Sequence, residues 1–122
     1  MRKCLKVAAV IGLLFTLVPI PVRNAFAQDE LDRPGAREQA EADKANKELE
    51  AVYRDLMAKA DSKMKTRLRA AQLAWIKWKN AEVNYIARRV AVGGSALRVA
   101  YAEAEEKLVN ERIALLKAYA SE

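Results

Sequence analysis

From Ala36 to Glu122 the chain contains no proline, cysteine or histidine, and its only glycines are the adjacent pair Gly93 and Gly94. Alanine, leucine, glutamate, lysine and arginine dominate this stretch, which gives it high helix propensity along its whole length. Apolar residues recur in steps of three and four, and no period-two alternation supports a strand. The chain reads as all-α.

The steps resolve into three series. The first runs through Ala42, Ala45, Leu49, Val52, Leu56 and Ala60, widened by Tyr53 and Met57. The second takes Met64, Leu68, Ala71, Trp75 and Trp78, then Ile86 and Val90. The third holds Leu97, Tyr101, Ala104, Leu108, Leu115 and Tyr119. "VGGS" at 92–95 separates the last two, because glycine relieves backbone strain and Ser95 is a candidate N-cap. The first join is fainter: Asp61-Ser62 offers an N-cap, but no glycine or proline enforces a turn. One unbroken helix over 36–92 would be about 85 Å long with its apolar stripe unpartnered. A turn near 60–63 and an elongated three-helix bundle over 36–122 are therefore expected.

The N-terminus reads "MRKCLKVAAVIGLLFTLVPIPVRNAFAQDE". Arg2, Lys3 and Lys6 precede an apolar run from Val7 to Val18, and Ala25-Phe26-Ala27 forms an A-x-A site. This is the layout of a signal peptide over 1–27, with cleavage expected after Ala27. Pro19 and Pro21 cut the apolar run short of the roughly 20 residues that span a bilayer, which disfavours an uncleaved anchor. Membrane contact is expected only through this segment before cleavage. Cys4 lies ahead of the apolar core and so cannot be a lipoprotein cysteine. "QDELDRPG" at 28–35 reads as a polar leader.

Removing 27 of 122 residues leaves 95, one small domain by length. Four of the 22 basic residues depart (Arg2, Lys3, Lys6 and Arg23) and all 16 acidic ones stay, so the net charge falls from +6 to +2. Most of the apparent basicity belongs to targeting, and no nucleic-acid partner is expected. Without cysteine the mature domain has to be held by packing rather than disulfides. Without thiol or histidine it lacks the usual groups for nucleophilic, imidazole-based and zinc or copper chemistry. No catalytic residue, cofactor or metal ligand is expected, and the protein reads as a non-enzyme.

The stretch "LRAAQLAWIKWKNAEV" at 68–83 interleaves tryptophan with lysine. Such a mixture suggests base stacking, yet helical spacing sets Leu68, Ala71, Trp75 and Trp78 on one side with Lys77 and Lys79 elsewhere. Trp75 and Trp78 are both expected in the core, with an edge position that leaves its indole N–H in water as the alternative for Trp78.

The same stretch, followed by "GGS" and by "EEKLVNERIALL", resembles the small exported family typified by the N-terminal domain of the LprI lysozyme inhibitor, formerly a domain of unknown function. The resemblance covers residues 39–118. Leu68, Gln72 and Trp75 match the family's core motif and Trp78 takes its usual aromatic place. Lys79 stands where arginine is common and Asn80 where aspartate is. Leu49, Tyr53 and Leu56 fit the family's first helix, and Leu108 and Arg112 its last. Val83 and Ala104 occupy places where the family often has cysteines.

What the resemblance implies is a periplasmic or secreted helical domain that binds, and possesses inhibitory potential toward, lysozyme or another glycan-cleaving enzyme. Such enzymes work with two carboxylates in a cleft. The "VGGSALR" loop is the candidate tip for occluding it, through Arg88, Arg89, Gly93, Gly94, Ser95 and Arg98. An ordinary turn with solvated arginines is the competing reading. Glu103, Glu105 and Glu106 offer a local acidic patch for a basic partner. The alternative function is a non-catalytic structural or adaptor protein of the periplasm, and the sequence leaves the oligomeric state open.

Overall fold

The computed structural model describes residues 32–122. The signal peptide, its cleavage after Ala27 and the first part of the polar leader lie outside the described residues. The described part is an all-α, three-helix bundle of α1 (Ala36–Lys59), α2 (Ser62–Val90) and α3 (Gly94–Ala120), with no strand among the described residues. At 1.5 Å per residue the helices are about 36, 44 and 40 Å long. None of them is long and apolar enough to cross a membrane.

The join between α1 and α2 is two residues long. Ala60 leaves the helix in an extended conformation (φ −77°, ψ 146°) while its N–H still reaches the Leu56 carbonyl at 3.1 Å. Asp61 then starts α2 by accepting the Met64 N–H at 2.8 Å, the N-cap bond expected of it. A cap, not a glycine, makes this turn. The cap expected of Ser95 is absent. The third helix starts at Gly94, two residues earlier than a Ser95 cap would set it, with Gly93 at the N-cap and no side-chain cap bond.

α3 packs against both α1 and α2, whereas α1 and α2 barely meet. α1 runs parallel to α3, since Gly35 lies beside Arg98 and Val99 while Leu49 packs with Val109 and Ile113. α2 runs antiparallel, pairing Asn84 with Tyr101 and Gln72 with Arg112. One side of α3 (Val109, Ile113, Leu116) meets Ala45 and Leu49, with Leu68 and Trp75 of α2 closing over it. The other side (Ala104, Leu108) meets Val83, flanked by Ile86 and Tyr101. The two positions that resemblance links to cysteines, 83 and 104, thus share an apolar cluster.

Two stripes differ from expectation. On α2 the row facing inward is Leu68, Gln72, Trp75, Lys79, Val83 and Ala87, while Met64, Ala71, Trp78 and Val90 face solvent. The correct row contains two polar residues, so a search for apolar steps slid onto the adjacent one. Trp78, half exposed, is therefore outside the core, and Lys79 is inside it. On α3 the row reading failed at Leu115 and Tyr119, 43% and 47% exposed, because this helix buries two sides and its inner positions come in doublets such as Leu108-Val109 and Arg112-Ile113.

Six of the twelve buried apolar residues are alanines, so the helices approach closely but bury few methylenes. The larger side chains carry correspondingly more weight. Leu116→Ala, at a fully buried site, should cost about 3–5 kcal/mol. Leu73→Ala, on the exposed face of α2, should stay within about 0.5 kcal/mol. Urea titrations followed by circular dichroism measure both; equal midpoints for the two variants would contradict this account of the core.

Candidate partner-binding site

The candidate tip is built by the last turn of α2, the connection Ala91–Gly93 and the first turns of α3. Ala91 ends α2 in an extended conformation with its N–H on the Ala87 carbonyl at 3.0 Å. The two glycines are not equivalent. Gly93 has φ 178°, extended backbone open to any residue, whereas Gly94 sits at φ +65°, where a side chain is strained. Nothing lies within 4 Å of a Cβ at Gly94, so its requirement for glycine is one of backbone alone. This geometry pushes Val92 outward, and Val92 is 100% exposed.

The arginines around Val92 do not form one cluster. Arg88 donates through Nε to Asn84 Oδ1 at 2.9 Å, and the same oxygen accepts the Tyr101 hydroxyl. Arg89 lies over the Tyr85 ring, 5.6 Å from its centre. Arg98 instead turns toward the start of α1, where with Arg33, Gln39 and Tyr101 it lines a concavity of about 630 Å³. Arg88 and Arg89 thus collar the tip on the α2 side, and Arg98 and Arg33 form a second cationic edge. Ser95 is exposed in the first turn of α3. Sequence reading missed Arg33 because only the fold brings the leader onto α3.

The core motif lies in the middle of the bundle. Gln72 Oε1 accepts from Arg112 Nε at 3.1 Å, and the Arg112 guanidinium sits 5.6 Å from the Trp75 ring centre. Lys79 runs along the same tryptophan, with Nζ 5.9 Å from the ring centre, and ends 2.7 Å from Glu105 Oε1. Asn46 Nδ2 bonds the Ala42 carbonyl at 3.0 Å and approaches Glu105 Oε1 at 3.4 Å, tying α1 into the group. Lys79 was expected outside the stripe; it is buried because its alkyl stem packs like a hydrophobe while its ammonium meets a carboxylate. Glu105 is correspondingly drawn away from the acidic patch with Glu103 and Glu106. The signal that could have found this layer is the unbroken step Leu68, Gln72, Trp75, Lys79, Val83.

Among the described residues no buried side-chain nitrogen or oxygen lacks a partner. Burial lowers the Arg112 pKa from its ordinary value, and Tyr119 partly offsets this. A base with a depressed folded pKa opposes folding while it is protonated, and that penalty lifts only as pH rises through the folded pKa toward the ordinary arginine range. Across neutral pH the guanidinium stays charged, and the amide of Gln72 and the face of Trp75 replace its lost water.

Glu105→Gln should cost about 1–3 kcal/mol, since it leaves a largely buried ammonium without its counter-charge. Replacing both partners, Lys79→Met with Glu105→Leu, should recover most of that loss. Chemical denaturation of the single and double variants is the measurement. A double variant worse than the sum of the singles would contradict the assignment of the cost to an unpaired charge. Trp75→Ala should exceed Trp78→Ala in cost, because only Trp75 is packed on the core and between two cations.

No curated protein and no solved structure matches the chain. The family model described as "Lysozyme inhibitor LprI" matches residues 34–116, which spans α1, α2 and most of α3. Among the described residues no group of three or more His, Cys, Asp or Glu is placed to hold a metal ion. With two thirds of its length matched, the chain belongs to the LprI lysozyme-inhibitor family.

Proposed function

We propose that the protein is an exported inhibitor of lysozyme-like glycosidases, acting in the periplasm or outside the cell by lodging its α2–α3 tip in the substrate cleft. The observation that carries this reading is the match to the LprI family over 34–116. The choice of surface is supported by the fully exposed Val92 with Arg88 and Arg89 beside it. An apolar knob with a cationic collar suits a cleft that has apolar sugar subsites and a pair of catalytic carboxylates. Export is supported by the basic start, apolar run and A-x-A ending of residues 1–27. The remaining net charge of +2 supplies no long-range attraction to a basic lysozyme, so recognition rests on short-range contacts. The adaptor reading is favoured by a different surface, the exposed Leu73, Ile76, Trp78 and Tyr85 of α2.

Turbidity loss of bacterial cell walls, measured with lysozymes of several classes, tests the function. Inhibition of at least one class is expected, and no inhibition at large molar excess would remove the inhibitor reading. Arg89→Glu with Arg98→Glu should weaken inhibition while leaving helicity intact. Added salt should weaken it as well, because exposed charge contacts are screened over about 8–10 Å at physiological ionic strength. Inhibition unaffected by the double change would move the surface elsewhere, most plainly to Glu103 and Glu106 on α3. The intact mass of protein recovered from the periplasm checks cleavage after Ala27.

A further inference from the structure

The outer face of α2 carries a second heptad row that nothing in the bundle covers. Met64, Ala71, Trp78 and Tyr85 recur every seven residues, and Arg67, Ala74, Ala81 and Arg88 interleave with them. All eight are exposed, including Met64 at 49%, Trp78 at 50% and Tyr85 at 58%. A row of this period along one side of a helix is the pattern by which two helices pair.

We infer that this row is a homotypic interface, on which a second copy of the chain packs its own α2 antiparallel about a two-fold axis. The pattern is complementary to itself in that sense and in no other. Pairing each position with the one that makes their numbers sum to 152 sets Trp78 on the partner's Ala74, Ala71 on the partner's Ala81, and Tyr85 against the partner's Arg67. Large meets small, and an aromatic ring meets a guanidinium. A parallel pairing would set Trp78 on its own counterpart and stack Arg67 and Arg88 on theirs, at like-charge cost.

The end of the row supplies a further fit. Met64, Arg67 and Ala71 share a cavity of about 410 Å³ with Tyr119 of α3 and with Glu122 just beyond its end. In the antiparallel register the partner's Tyr85 and Arg88 arrive at Arg67 and Met64, over this cavity. Its apolar walls receive the ring and Glu122 faces the incoming guanidinium. The paired segment, 64–88, is about 36 Å long, and the two exposed aromatics of each copy add on the order of 100 Å² apiece. Together the two rings supply about a quarter of the roughly 800 Å² per partner of a stable dimer, and the rest would come from the other exposed positions along the row.

Sedimentation equilibrium of the full chain across the micromolar range is the first test. The apparent mass should climb from one chain toward two as concentration rises, and a single-chain mass throughout would overturn the inference. Ala74→Glu and Ala81→Glu lie at exposed positions, so circular dichroism should be unchanged while association weakens at least ten-fold. A dimer indifferent to both would overturn it too. Register is read by oxidative cross-linking in a Cys4→Ser background. Chains carrying Ala71→Cys should link to chains carrying Ala81→Cys and not to themselves, because like positions lie about 15 Å apart along the axis. Self-linking of Ala71→Cys would contradict the antiparallel register. The inference stands apart from the inhibitor reading: failure of the turbidity assay with dimers intact would remove only the latter. Loss of inhibition in an Ala74→Glu chain whose wild type is monomeric would assign this face to the glycosidase instead of a second copy.

Discussion

Everything in this fold depends on α3 being packed from two sides. α1 and α2 are joined by only Ala60 and Asp61, yet they barely touch along their lengths. Neither can bury its apolar row without α3, which lies parallel to one and antiparallel to the other. This is why the inner positions of α3 occur in adjacent pairs, such as Leu108-Val109 and Arg112-Ile113. It is also why the helix has no single clean stripe. A change that shifts α3 therefore disturbs both clusters together, the one around Val109 and Leu116 and the one around Val83 and Leu108.

Apolar contacts of this kind tolerate sliding, and half of the buried apolar positions are alanines with little shape to resist it. The polar layer removes that freedom. Gln72 meets Arg112, and Lys79 meets Glu105, only when α2 and α3 stand in one register. Asn46, reaching Glu105, fixes α1 against the same carboxylate. A one-turn slip would strand a lysine and an arginine in the interior, each costing several kcal/mol. The exposed pair Lys117–Glu48, although also 2.7 Å apart, contributes at most about 1 kcal/mol because water competes for both groups. The buried layer specifies alignment, and the surface pair decorates it.

The helix count, the fold class, the N-cap at Asp61 and the break at Gly93-Gly94 were legible in the sequence because each has a local cause. Propensity, capping and the absence of proline act within a few residues. The errors share a different cause. Ala71 and Trp78 were placed inward because they are apolar, and Lys79 outward because it is charged, but orientation on α2 is decided by Glu105, 26 positions away. The arginines of the tip stand near one loop in the sequence, yet their directions depend on where α1 begins, so the link between Arg98 and Arg33 is not legible there. Trp75 was read correctly as inner, though not as the ring between two cations, since Arg112 reaches it only through the antiparallel packing of α3.

A core half made of alanine has a consequence for the surface. Close-packed thin helices leave large side chains nowhere to go but outward, and this chain puts Trp78, Tyr85, Leu73, Ile76, Leu115 and Tyr119 there. Scattered exposed apolar residues need no explanation, but a row along one helix is a different matter. With no disulfide open to the residues after Ala27, the domain has few means of adding stability from within. Burying that row in a second copy would add it from without, by joining two α2–α3 pairs into a four-helix centre whose ends still present Val92 to a partner. Stability and binding would then be served by different parts of the same helix, its side for pairing and its last turn for the target, with Arg88 shared between them.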